Sequence, residues 1–427
     1  MKHAAGKFSR TLALVLILIF VFSMPAAAAS TPSTASGMPR ITKTWNVLFV
    51  GNSFSVDTSR YLYQIAEDAG YKIRIGDVWI SGLHLDEMYT YASGNQRRFT
   101  YLENTSGSWK TLKNGGSSLW RLAEVLKRRK WDAVIINQYS ADTGNMGSFY
   151  KNGNVRGENY LSRIASYIHR KCPDALLGYN MTWAFPKNSS IADFSSIYAG
   201  SQKQMYRMIC DTTRVLLDGY KNTAETAKSY SSRNASVRSS SKGTDLIDFV
   251  IPSGTAIQNA RSSYMGDTLN RDQKHLSLTY GRYIAGLCAA ASLGMNIENV
   301  NKLHMDGKGS SLTLKVMRES VLDAIDHPYK VTDQKKKAPT LADPELKLSK
   351  TKSGYVKAEW DLVKGATAYK VTYKKGGSST LYTRTLKASD RSFLFKGAGG
   401  RNQVTVYAVG DTYIARSDKT TKTIKIK

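Results

Sequence analysis

Short runs of apolar and β-branched residues alternate with stretches of helical spacing, and this alternation constrains the fold more than any other feature of the sequence. Asn46–Val50, Ile73–Ile80, Trp131–Ile136, Ala175–Tyr179 and Leu246–Ile251 have the length and composition of buried strands. After the first of them, Leu62, Ile65, Ala66 and Ala69 recur at helical spacing and stop at Gly70. Leu119–Arg129, Tyr160–Arg170 and Gln202–Leu217 carry the same helical period. Strands separated by helices predict an α/β fold, a mostly parallel sheet with helices on both faces. In such sheets ligands bind beyond the carboxyl ends of the strands, so the turns after the strands are where chemistry is expected.

The two ends of the chain read differently. Lys2, Lys7 and Arg10 precede the apolar run Leu12–Phe22, and Pro25–Ala29 offers the small residues at which a signal peptidase cuts. Residues 1–29 are therefore expected to be a signal peptide, and the mature protein to be secreted, extracellular or associated with the cell wall. The run is too short for an ordinary transmembrane helix, and no later segment is apolar enough to span a bilayer. A Ser/Thr/Pro-rich leader covers 30–44, and Asp218–Thr244 is Ser/Lys-rich without apolar period, as expected of a surface insertion. Residues 329–344 include Lys335-Lys336-Lys337-Ala338-Pro339 and read as a linker. Beyond it, Val356–Trp360, Tyr369–Tyr373 and Val404–Val409 alternate at period two between Gly-rich turns, so 345–427 is expected to be a small all-β sandwich.

Charge and cysteine content narrow the partners. The chain carries 61 Lys+Arg against 33 Asp+Glu, a net +28, and loss of the three cations before Ala29 leaves +25. An exported protein of this charge is expected to meet wall or other extracellular acidic polymers, acidic glycans or anionic lipid headgroups, not nucleic acid, as its main partner. From Leu346 onward there are 18 Lys+Arg and 5 Asp+Glu, so the tail holds about half of the excess. The run Lys127-Arg128-Arg129-Lys130 sits where a helix is expected to end, which suits the carbonyl-rich terminus. Cys172, Cys210 and Cys288 are too few and too far apart for a disulfide framework or a CxxC pair, and their pairing is left open.

One constellation could carry chemistry. Ser53 follows the first strand in Gly51-Asn52-Ser53, where a turn into a helix exposes the hydroxyl and supplies backbone N–H groups. Asp272 and His275 lie three residues apart in Asp272-Gln273-Lys274-His275, a spacing that lets the carboxylate fix the imidazole tautomer and leave Nε2 free for Ser53. Asp272 is also placed to cap a helix beginning near Leu276, and Asp57 to cap the helix after Ser53. His84 and His169 have no partner at metal spacing, and no His-Glu-x-x-His, P-loop or dinucleotide fingerprint occurs, so neither metal nor cofactor is expected.

These residues resemble the motifs of the SGNH (GDSL-like) hydrolase superfamily over roughly Trp45 to Leu293. Its Gly-Asp-Ser block is matched by Gly51-Asn52-Ser53, and its Asp-x-x-His block by Asp272–His275. Ile251–Arg261, with the Gly-Asn-Ser-Phe start, is similar to a secreted bacterial subgroup known only as a domain of unknown function. The resemblance implies a three-layer α/β/α hydrolase fold over 45–328 and esterase chemistry with Ser53 as nucleophile, His275 as base and Asp272 as its orienting acid. It implies an oxyanion hole in which Gly82, after the second strand, gives an N–H. The family's Gly-x-Asn-Asp block is absent; the strand end reads Asn137-Gln138-Tyr139-Ser140, and Gln138, with Asn137 in reserve, is expected to supply the side-chain donor. The tail, 345–427, resembles a fibronectin type III domain through Trp360, Gly365–Val371 and Tyr407-Ala408-Val409.

The expected function is a secreted serine esterase hydrolysing O-acyl esters, O-acetyl first, on a polysaccharide or wall glycan, with Trp79, Tyr139 and Trp183 as exposed aromatics for the sugar. The alternatives are a non-catalytic adhesion protein holding acidic polymers, or an acyltransferase using the same triad.

Overall fold

Strand β1 (Trp45–Gly51) is buried along almost its whole length, and such a strand needs a neighbour on each side. It finds β2 (Ile73–Trp79) on one side and β6 (Ala133–Ile136) on the other, both parallel, with Gly51 opposite Trp79 and Val50 opposite Ile136. β7 (Leu176–Asn180) and β8 (Phe249–Ile251) extend the parallel set beyond β6. The computed structural model describes residues 44–155, 157–217, 246–305 and 309–427. The expected signal peptide, nearly all of the leader and the insertion at 218–244 lie outside them.

The sheet is mixed, not purely parallel. On the far side of β2, β3 (Phe99–Asn104) runs antiparallel and carries β4 (Trp109–Thr111) and β5 (Leu119–Trp120). This corrects the helix expected over Leu119–Arg129. Leu119 and Trp120 pair with Thr100 and Phe99, and only Leu122–Leu126 (α4) is helical, begun by Glu124 accepting from the Arg121 amide. Leu119, Leu122, Ala123 and Leu126 recur at helical spacing, but Leu119 is exposed on the edge strand while Leu122 and Leu126 are buried on the helix.

The helices form two packed groups. α1 (Ser53–Ser59), α2 (Leu62–Asp68), α8 (Ser253–Arg261), α9 (Tyr280–Ser292) and α10 (Ser311–Asp326) form one group, joined through α8 by α7 (Gln202–Leu217), which follows the short α6 (Ala192–Ile197), while α3 (Leu85–Ser93) packs on α5 (Tyr160–His169). Cys172, Cys210 and Cys288 are buried free thiols. Among the described residues no helix is long and apolar enough to cross a membrane.

A second core begins with Leu341 and Leu346. One antiparallel sheet has the order β13-β10-β9 (Ser392–Lys396, Tyr355–Glu359, Lys347–Lys350), the other β12-β11-β14-β15 (Tyr382–Lys387, Ala368–Lys374, Gly400–Val409, Thr420–Ile426). Val356 and Phe395 from the first sheet and Val371 and Val406 from the second share this core. The segment before it is not free. Thr332 N–H donates to Asn259 and Gln334 N–H to Ser262 on the first core, and Ala415 is bonded through its amide to Pro339 and through its carbonyl to Leu341 on the second.

Candidate active site

Asn52 closes β1 and opens α1. Its Oδ1 accepts the Phe54 N–H, which makes it the helix cap, and its Nδ2 donates to the carbonyls of Leu83 and Gln138. One buried amide thus ties together the turns that follow β1, β2 and β6. An aspartate here would have no protons for those two carbonyls, a physical reason for asparagine at this position. Ser53, the first residue of α1, stands at this junction with its N–H unpaired within the helix.

The structure brings the three sequence-predicted reacting residues together. Ser53 Oγ lies 2.9 Å from His275 Nε2, and His275 Nδ1 lies 2.9 Å from Asp272 Oδ2. The other Asp272 oxygen accepts the backbone N–H groups of Lys274 and His275. Partial desolvation raises the Asp272 pKa, but these amides and the imidazole outweigh it, so the carboxyl is held below its ordinary range. Asp272 does not cap a helix, because α9 begins at Tyr280 with Thr279 at its cap position. It caps the tight turn that aims the imidazole.

The oxyanion donors expected from β6 are not available. Gln138 Oε1 accepts the N–H groups of Leu85 and Tyr139, which fixes the amide orientation and turns Nε2 toward Ser148. Asn137 Nδ2 donates to Asn52 Oδ1 and to the Gln138 carbonyl, both at the buried junction. Both side chains hold the turn and neither offers a proton to a ligand. Gly82 remains as expected in the turn after β2, with φ +70°, a left-handed conformation that favours glycine.

Several residues to which the sequence reading assigns another role or none hold Ser53, His275 and Asp272 in place. Asp57 is no helix cap. It is fully buried one turn beyond Ser53 and accepts from Arg271 (2.9 Å), Arg282 Nε (2.7 Å) and the Leu276 amide (2.9 Å), fastening the His275 loop to α1. Asn270 donates to the carbonyls of Lys274 and His275 and accepts from the buried Arg261. Burial lowers the Arg261 guanidinium to a pKa of about 10 against the opposing pull of Asp267. Trp183, expected to be exposed, is fully buried: it stacks on Phe54 at 4.3 Å and donates Nε1–H to the Lys274 carbonyl. The partners of Asp57 lie more than 200 positions away, which no local pattern could signal.

At the rim, His84 Nδ1 lies 2.8 Å from Asp142 Oδ2, and the imidazole packs against Tyr139, tilted, with ring centres 4.3 Å apart. The Asp142 hydrogen bond raises the His84 pKa against partial desolvation. Lys274 Nζ lies 5.7 Å from the centre of the same Tyr139 ring. Tyr139 and Trp79 are half-buried, so neither is a fully open platform. Among the described residues no three His, Cys, Asp or Glu side chains gather as a metal ion would require.

With this geometry in hand, comparison with known proteins adds the following. A family model described as "Domain of unknown function (DUF4886)" matches residues 46–218 and 216–321, more than half of the chain. Among solved structures, a DUF4886 family protein from Bacteroides uniformis is similar, with 28% identity, TM-score 0.55, and coverage of 68% of this chain and 98% of that one. The fibronectin type III domain of the human collagen alpha-1(XX) chain matches at 14% identity and TM-score 0.19, over 22% of this chain and 90% of that one. A second structure from human collagen XX matches at 13% identity and TM-score 0.17, over 20% of this chain and 91% of that one. No curated protein matches the chain.

Proposed function

We propose that this chain, which belongs to the DUF4886 family, is an exported serine esterase that hydrolyses O-acyl esters, O-acetyl first, on a glycan. The observation that carries the proposal is the continuous hydrogen-bonded line Ser53 Oγ, His275 Nε2, His275 Nδ1, Asp272 Oδ2, with both contacts at 2.9 Å. Ser53 Oγ attacks the ester carbonyl while His275 Nε2 takes its proton, and Asp272 stabilises the resulting imidazolium. The Ser53 and Gly82 N–H groups receive the negative charge that develops on the carbonyl oxygen. Collapse breaks the bond to the sugar oxygen, which leaves with the proton from His275. Water then attacks the acyl-serine, giving its proton to His275, and the carboxylic acid departs as Ser53 is reprotonated.

The finer fold reading belongs here as well. The two helix groups about a sheet with parallel centre suit the α/β/α arrangement of SGNH hydrolases, and the paired antiparallel sheets suit a fibronectin type III-like appendage. Export and an appended β module favour a polymeric substrate over a small metabolite.

Fluorophosphonate labelling of the chain from Ser30 onward, recorded with acetate release from an aryl acetate, tests the reading. Ser53→Ala and His275→Ala are each expected to abolish labelling and to lower turnover by roughly a thousandfold or more. Labelling that survives Ser53→Ala would overturn it.

A further inference from the structure

The sheet β12-β11-β14-β15 has two faces, and only one of them is accounted for. Tyr369, Val371 and Tyr373 of β11 and Val404, Val406 and Ala408 of β14 point into the second core. The residues between them therefore face outward, since side chains alternate along a strand. Register places Lys370 opposite Tyr407 and Lys374 opposite Gln403, then Arg401 opposite Lys425 and, on the other edge, Lys387 opposite Ala368. Directly opposed residues of antiparallel strands share a face. Lys370, Lys374, Lys387, Arg401 and Lys425 thus stand on one surface, and Arg416 joins them with its guanidinium 5.1 Å from the Tyr407 ring.

Among the described residues no carboxylate pairs with these cations. The four strands contain no Asp or Glu. The acidic residues nearby sit in turns: Asp390 accepts the Lys387 amide, and Asp411 accepts the Ser310 amide and the Thr313 hydroxyl. None of the five strand cations makes an ion pair among the described residues. Strands lie about 4.8 Å apart and alternate residues about 6.6 Å apart along a strand, so neighbouring cations repel one another within a Debye length of about 8 Å. The spaces between them are filled by hydroxyls from Thr372, Thr405, Thr421 and Thr423, with Thr405 and Thr421 hydrogen-bonded at 2.8 Å.

We propose that this face is the docking surface for an extended acidic polysaccharide, its carboxylates meeting the cations and its sugar hydroxyls meeting the threonines. A bilayer fits less well, because interfacial binding needs large apolar side chains to insert, and the paired strand positions of this face hold Lys, Arg, Thr, Gln and Tyr407 with only Ala368 and Val409 apolar. Single-stranded nucleic acid fits less well too, since it stacks bases on open aromatic rings and Tyr407 is covered by Arg416. The proposal is independent of the chemistry at Ser53.

Retention of the full chain from Ser30 onward on immobilised polygalacturonate, beside neutral dextran and phosphatidylglycerol vesicles, tests it. Wild type is expected to bind polygalacturonate in a salt-sensitive manner and to leave dextran unbound. The quadruple variant Lys370→Ser/Lys374→Ser/Arg401→Ser/Lys425→Ser is expected to lose about tenfold or more in affinity. A control with the same charge removed from the first sheet and the chain beside it, Lys347→Ser/Lys350→Ser/Lys352→Ser/Lys396→Ser, is expected to lose less than about threefold. Should the quadruple variant melt early, Lys370→Gln/Lys374→Gln reads the same loss at roughly fivefold. Equal weakening by face and control variants would reduce the effect to net charge and overturn the proposal. So would absence of binding, or a face variant that releases vesicles while keeping its hold on polygalacturonate.

Discussion

Asp57 fastens the loop that carries His275 to the helix that begins at Ser53, although it touches neither side chain. Its carboxylate is fully buried and receives two guanidinium groups and the amide that follows His275. Asp57→Asn leaves Arg271 and Arg282 facing a neutral group, and breaking a buried pair on one side typically costs about 3–5 kcal/mol. Chemical denaturation is expected to show a loss of that order, and fluorophosphonate labelling at Ser53 to slow in the fraction that remains folded. Unchanged stability would mean the arginines are satisfied elsewhere. The triad itself was legible in the sequence because Asp272 and His275 are local partners and Ser53 sits at a recognisable strand end. Gln138 and Asn137 were misread for the opposite reason. Their position at the end of β6 was visible, but the orientation of each amide is set by Leu85, Tyr139 and Asn52, which come from other turns.

At the scale of elements, α1 is short and held from below. Ser55 and Ser59, one helical turn apart, donate to the two oxygens of Asp77 on β2, each at 2.8 Å. Burial raises the Asp77 pKa from 3.8 to about 7, and the two hydroxyls only partly oppose it. The folded state therefore holds this proton more tightly than the unfolded chain does. The associated stability is fully present below pH 3.8 and is lost as pH rises through about 7. Asp77→Asn mimics the neutral form, so its melting temperature should exceed that of wild type at pH 8 and the difference should close near pH 4. A gap of equal size at both values would show that Asp77 is not titrating. The parallel strands were legible because burial on both faces leaves apolar runs. The antiparallel β3, β4 and β5 were not, since Phe99–Asn104 mixes Thr, Glu and Asn with its aromatics and shows no clean period.

On the scale of the whole molecule, the two cores were legible from the change of period, but the way they meet was not. Leu312 of α10 packs against the second core, and beside it one turn of that core, around Asp411 and Tyr413, reaches the first. Asp411 accepts the Ser310 amide at the start of α10, where a carboxylate suits the helix terminus, and the Thr313 hydroxyl at 2.7 Å. Tyr413 packs edge-on against Tyr280 at 4.7 Å and shares a 2.7 Å hydrogen bond with Thr268. Thr268 and Tyr280 flank the loop that carries Asp272 and His275, one before it and one at the start of the following helix. A β module that served only as a spacer would have no reason to brace that loop. Tyr413→Ala removes both contacts of a half-buried ring, at a cost below the roughly 3–5 kcal/mol of a fully buried aromatic. The expected outcome is a fall in kcat on an aryl acetate with little change in KM, because a small substrate does not need the β module for binding while His275 still needs its loop held. Full kcat in Tyr413→Ala, or in a chain ending at residue 338, would return the C-terminal region to the role of a separate appendage.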